Sequence, residues 1–203
     1  MKRRDFVAGM AATQVLLSSI ATVGFAHGAQ DYDAMVPTPE LPPDYLPREV
    51  VLEKPLPPFE IHVEPSQFAL YWTLPEGRAM RFTVGIGRQG LYHSGEYYIG
   101  AKKEWPSWTP TPAMIRRDPG AYARYADGMA GGLANPLGAR ALYLFQPGRG
   151  DTFLRIHGTS RPETIGRQVS NGCARLTNDQ IIAFYDRVPM ETRVVLNPLP
   201  GAG

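Results

Sequence analysis

The stretch Phe68-Ala69-Leu70-Tyr71-Trp72-Thr73-Leu74-Pro75-Glu76-Gly77-Arg78-Ala79-Met80-Arg81-Phe82-Thr83-Val84-Gly85-Ile86 decides the fold class. Phe68, Leu70, Trp72 and Leu74 fall on alternate positions, and Met80, Phe82, Val84 and Ile86 do the same beyond Pro75-Glu76-Gly77-Arg78. A period of two lines one face of an extended chain, so each run reads as a half-buried strand. Between them the proline fixes φ and the glycine tolerates positive φ, which makes the pair a hairpin.

Working outward, Ile61 and Val63 repeat the alternation, and further strands are expected at 95–101, 141–146, 152–157 and 193–197. Short strands punctuated by turns indicate a mainly β, mainly antiparallel architecture with few short helices. The clearest helix runs from about Asn178 to Val188, opened by Thr177 as N-cap with Gln180 completing a capping box, and with Ile181, Phe184 or Tyr185, and Val188 on one face. Residues 105–135 are rich in Trp, Pro, Arg and Gly without strict periodicity, and an insertion of that length usually serves function, often as a lid. Within it, Trp105 and Trp108 suit either substrate stacking or packing of the cap. Arg116, Arg117 and Arg124 read as solvated surface, with carboxylate contact as the alternative. His62, between Ile61 and Val63, should face solvent, and His93 reads as an exposed loop residue.

The N-terminus has the anatomy of an export signal over residues 1–29: Lys2-Arg3-Arg4, a weakly apolar stretch broken by Gln14 and Ser18-Ser19, and small residues at Gly24, Ala26 and Ala29. Arg3-Arg4-Asp5-Phe6 fits the twin-arginine pattern, which implies export in the folded state. The expected location is therefore the periplasm or cell envelope, with membrane contact only if the signal is retained. Residues 30–58, carrying eight prolines from Pro37 to Pro58, should be extended and semi-rigid, either as a linker or as an arm wrapping the domain. Residues 59–198 then form one catalytic domain, for which 43% hydrophobic residues supply a sufficient core. Removing Lys2, Arg3, Arg4 and Asp5 from the 21 basic and 19 acidic residues leaves equal numbers. No patch is basic enough to neutralise a row of phosphates, which excludes nucleic acid as the expected partner.

A single Cys173 in an exported chain cannot form an internal disulfide and needs another reason to be there. Two blocks supply one: Ile156-His157-Gly158-Thr159 at a strand end, and Ser170-Asn171-Gly172-Cys173-Ala174-Arg175 in the turn before the helix. A thiol attacks an acyl carbon only as thiolate, and an imidazole can take its proton and later return it to a leaving amine. Cys173 is therefore the candidate nucleophile and His157 the candidate proton acceptor and donor. Gly158 and Gly172 allow tight turns, and backbone N–H groups near Gly172 and Cys173 are candidates to hold an oxyanion. Arg175 suits either a carboxylate or a clamp on the loop, Asn171 either the acyl carbonyl or the turn, and Ser170 the bracing of the loop. No Gly-x-Ser-x-Gly elbow and no metal-ligand spacing are present, which sets aside a serine hydrolase and a zinc peptidase.

These blocks resemble the signature of the L,D-transpeptidase catalytic domain (YkuD-like) family, a His-Gly pair followed after a short spacer by Ser/Thr-His-Gly-Cys. Trp105-Pro106-Ser107-Trp108-Thr109-Pro110 and Asn135 to Leu142 are similar to segments of the same family, and the likeness covers roughly residues 59–198. One departure is Asn171, where the signature has a second histidine; the proton-transfer role resembles that of His157, so the departure bears on oxyanion stabilisation and rate. The resemblance implies a YkuD-like β-sandwich with Cys173 in a cleft under the 105–135 cap, and no metal or organic cofactor. It implies an enzyme that forms a Cys173 thioester with a peptidoglycan tetrapeptide stem, releases D-alanine, and passes the acyl group to an amine. That amine belongs to another stem, giving a 3→3 cross-link, or to an outer-membrane protein. Two rivals stay open: a carboxypeptidase or endopeptidase of the same fold in which water takes the acyl group, and a non-catalytic cell-wall binding protein.

Overall fold

A computed structural model describes residues 31–172 and 174–200, so the expected export signal and Cys173 lie outside the described residues. Along the chain the strands are β1 (Arg48–Val51), β2 (Ile61–Glu64), β3 (Ala69–Thr73), β4 (Arg78–Thr83), β5 (Ile86–Gly87), β6 (Gly95–Glu104), β7 (Arg140–Gln146), β8 (Gly150–His157), β9 (Gln168–Ser170), β10 (Ala174–Arg175) and β11 (Arg193–Leu196). The α-helices are short: α1 (Pro112–Arg117), α2 (Pro119–Tyr122) and α3 (Asn178–Tyr185). The hairpin forms as its sequence dictates, β3 pairing antiparallel with β4 from Ala69↔Thr83 to Thr73↔Ala79. Its turn places both Glu76 and Gly77 at positive φ.

Nine strands form one sheet in the order β1-β4-β3-β2-β11-β6-β7-β8-β10, while β5 pairs with β9. The last strand, β11, joins the halves, lying parallel to β2 and antiparallel to β6. Both halves feed one core, as in a β-sandwich: Leu70, Trp72 and Phe82 from one, Ile99, Leu142, Leu144 and Ile156 from the other, closed by Ile181 and Phe184 of α3. The Phe184 ring lies 5.9 Å from Trp72 and 5.1 Å from Phe82. Such aromatic pairs contribute about 0.5–1.5 kcal/mol each beyond the area they bury. Among the described residues no helix is long and apolar enough to cross a membrane.

Three local expectations are corrected. The run Met80–Ile86 is not one strand, because the chain leaves β4 at Thr83, and Ile86 and Gly87 pair with Gln168 and Ser170 instead. His62 is buried rather than solvent-facing: β2 is an interior strand between β3 and β11, with Tyr71 and Val195 beside His62, and Nε2 lies 3.0 Å from Glu60. Thr177 does cap α3 by position, but its side chain makes no cap bond and the Gln180 Oε1 has no partner, so no capping box forms.

Residues 31–58 add to the domain. β1 extends the sheet along β4, and Asp33 reaches Arg140 through both carboxylate oxygens while accepting from Trp105 Nε1 at 2.9 Å. Arg140 is 6% exposed, so its charge depends on this partner. The Arg140 hydrogen bond is the main cause that holds the Asp33 carboxyl below its ordinary 3.8. A depressed carboxylate stabilises the fold above its unfolded value and loses that contribution as pH falls through its folded value. Asp33→Asn is therefore expected to lower stability at pH 7 by about 1–2 kcal/mol, discounted for the exposure of Asp33. Urea denaturation should show the gap between the two proteins closing as pH falls below about 3.8.

Candidate active site

The C-terminal half of β8 is buried, from Leu154 through His157. Its outer edge is paired by β10, in parallel, with Ala174 beside Ile156 and Arg175 beside His157, and the Leu176 N–H donates to the His157 carbonyl at 2.9 Å. The chain that leaves Cys173 is thus laid along the strand that carries the histidine.

His157 is 5% exposed and its Nδ1 lies 2.6 Å from the Gly158 carbonyl. A carbonyl only accepts, so Nδ1 carries the proton and Nε2 the lone pair. Burial, and next the nearby Arg175 charge, push the imidazole down to about 3. It is neutral at neutral pH, the form in which it can accept a proton.

The turn before Cys173 is held from several sides. Ser170 is buried and its Oγ accepts from the Gly172 N–H at 3.2 Å, which engages that N–H in the turn. Gly172 sits at φ 122, where an added Cβ would meet the Leu91 carbonyl at 2.7 Å, so the position demands glycine. Asn171 Oδ1 accepts from Arg117 Nη2 at 2.7 Å and Arg88 Nη2 at 3.4 Å, and its Nδ2 donates to the Tyr122 hydroxyl at 2.9 Å. Asn171 therefore ties the turn to the cap. Arg175 exchanges two backbone bonds with Gly85, at 2.9 and 2.8 Å, and its side chain lines the cleft.

The cleft has a volume of about 880 Å³. One wall comes from residues 105–135, with Trp108, Met114, Arg117 and Tyr122, and His157, Ser170, Asn171 and Arg175 line the other side. The expected cap is thus present. Trp108 lines the cleft while packing on Tyr122 and Tyr125, whereas Trp105 packs on Tyr32 at 5.1 Å. Arg117 is exposed, as expected, and also lines the cleft and is bonded to Asn171; exposed His93 lines the cleft too. Among the described residues no three His, Cys, Asp or Glu side chains are grouped as metal ligands.

Gly158 is required for packing. A Cβ there would strike the Asn178 amide, and the Ile181 side chain lies at 3.0 Å from the same point. Asn178 Oδ1 accepts from the N–H groups of Ala139 at 3.0 Å and Thr159 at 3.1 Å, fixing the loop before β7 to the segment that follows His157. Sequence reasoning missed this residue, together with Tyr122 and Arg88. An Asn at the start of a helix carries no signal that its side chain reaches two distant loops.

A family model described as YkuD, the L,D-transpeptidase catalytic domain, matches residues 58–196. The chain is 35% identical over 147 residues to the probable L,D-transpeptidase ErfK/SrfK of Escherichia coli strain K12, covering 69% of this chain and 44% of that one. It is 37% identical over 127 residues to a putative L,D-transpeptidase in the ATP synthase subunits region of Fuscovulum blasticum, covering 61% of each. The chain thus spans roughly half the length of these relatives. A crystal structure of a probable carnitine operon oxidoreductase caia from Brucella melitensis is 44% identical, with a TM-score of 0.53, covering 77% of this chain and 96% of that one. The Ldtfm-avibactam carbamoyl enzyme shares the fold with a TM-score of 0.52 at 14% identity, covering 71% of this chain and 50% of that one.

Asn178→Ala leaves two backbone N–H groups without their acceptor. The expected loss is about 2–4 kcal/mol, from the usual cost of each unsatisfied buried donor. Chemical denaturation checks the loss, and amide exchange should be fastest at Ala139 and Thr159.

Proposed function

The chain belongs to the L,D-transpeptidase catalytic domain family, and from that footing we propose that it is an exported cysteine acyltransferase with Cys173 as nucleophile and His157 as base and acid. The observation that carries this reading is the parallel register of β10 on β8, which sets Ala174 beside Ile156 and Arg175 beside His157, the latter two lining the cleft.

In the first step the Cys173 sulfur attacks the carbonyl carbon of the L-to-D bond after the third residue of a tetrapeptide stem, and its proton passes to His157 Nε2. The tetrahedral oxyanion is held by backbone N–H groups; with that of Gly172 engaged by Ser170, the Cys173 N–H is the candidate donor. Collapse breaks the C–N bond, and the proton on His157 goes to the departing amine, releasing D-alanine and leaving a thioester. An acceptor amine then attacks the thioester, gives its proton to His157, and expels the thiolate, which takes that proton back. A stem amine yields a 3→3 cross-link, an amine of an outer-membrane protein yields attachment, and water in its place yields hydrolysis. Export to the periplasm or cell envelope, directed by residues 1–29, brings the enzyme to this substrate. The name of the Brucella protein speaks of oxidoreduction, but of that protein alone; the family match rests on residues 58–196 of this chain.

An imidazole kept neutral by burial and by the Arg175 charge suits a general base during attack rather than one half of a preformed ion pair. Iodoacetamide alkylation of Cys173 should accordingly show no step in rate near the ordinary histidine value of 6.5 and should rise only on the alkaline side. A rate plateau already reached below pH 6 would overturn the neutral-pair reading. Mass spectrometry with disaccharide-tetrapeptide tests the activity: a product lighter than two monomers by one D-alanine, lost in Cys173→Ala, is expected. Tripeptide and free D-alanine alone would identify the hydrolase, and unchanged but bound substrate a binding protein.

A further inference from the structure

Among the described residues the cleft is lined by five arginines, Arg117, Arg149, Arg155, Arg161 and Arg175, and by no Asp or Glu. Arg155 and Arg161 are paired with Asp151 and Glu163, which lie outside the lining. At the nucleophile turn the positive charge converges on a point. Arg117, in the last turn of α1, and Arg88, after β5, both donate to Asn171 Oδ1, at 2.7 and 3.4 Å. Neither arginine forms an ion pair among the described residues. Two like charges are thus gathered around one neutral carboxamide oxygen, whose partial charge cannot balance them.

The gathering is built rather than incidental. The Arg88 backbone N–H is fixed to the Ser170 carbonyl at 3.0 Å, and the Tyr122 hydroxyl accepts from Asn171 Nδ2, so the amide oxygen faces the arginines. A planar carboxamide has the shape of a carboxylate, and the guanidinium fork matches a carboxylate in two-point contact. We propose that Arg88 and Arg117 form a carboxylate subsite beside the nucleophile turn, which Asn171 holds open and orients, and which selects peptide substrates with an ionised rather than an amidated carboxyl group. This rests on the reading above for the identity of the peptide. The carboxylate comes from either the acyl donor or the acceptor.

The test separates binding from turnover. Calorimetry on full-length Cys173→Ala protein uses disaccharide-tetrapeptide with its carboxyl groups free or converted to carboxamides. Amidation should weaken binding by about tenfold, the scale of one charge-assisted hydrogen-bond pair. Adding Arg117→Ala should bring the two ligands to equal affinity, Arg117→Lys should retain part of the difference, and raised salt should weaken the free acid alone. Equal binding of both ligands by the Cys173→Ala protein, or a ratio unchanged by Arg117→Ala, overturns the subsite. In the active chain, amidating donor and acceptor in turn assigns the source by which one raises KM. If discrimination is found without Cys173-dependent product, the transpeptidase reading fails and the subsite stands; if product forms without discrimination, the subsite alone fails.

Discussion

The outer edge of β8 is the constraint on which the rest depends. Ile156 and His157 are buried, and buried N–H and C=O groups must find partners, so that edge cannot be left bare. Among the described residues, two residues of β10 and the N–H of Leu176 meet the requirement. Satisfying the backbone of the histidine's strand therefore draws the segment after Cys173 against it, and α3 follows at once to roof the core with Ile181 and Phe184. The pairing of β10 on β8 and the packing of α3 on the core have one cause.

Around this edge the fixed points are polar and buried. Asn178 holds the loops before β7 and after β8 through one oxygen, and Ser170 and Gly172 set the turn. The strand switch at Val84–Gly85 serves the same end, since Gly85 exchanges backbone bonds with Arg175 and Arg88 with Ser170. The cap is joined to this frame at Asn171, through Arg117 and Tyr122, and at Trp105, which packs on the core and donates its backbone N–H to the Ala139 carbonyl.

Electrostatics divide the site in two. The histidine is kept neutral by burial and by the neighbouring Arg175 charge, while among the described residues the cleft is lined by arginines and by no carboxylates. The chain as a whole carries only a slight formal excess of positive charge, so this field is a matter of placement, not composition.

The alternation through Phe68–Ile86 determined the hairpin, and the two blocks around His157 and Cys173 determined the chemistry proposed, because both signals are local: side-chain period and residue type over a few positions. The expected export signal rests on local patterns of the same kind, in residues outside the described structure. What only the tertiary structure decided was contact across distance. His62 was misread because alternation does not tell whether a strand is interior to a sheet. Thr177 and Gln180 matched a capping pattern, yet both side chains are buried where that reciprocal geometry is not adopted. The ties of Asp33 to Arg140 and Arg117 to Asn171 join residues 107 and 54 positions apart, and nothing in a linear pattern records which long side chains will meet once the sheet has closed its core.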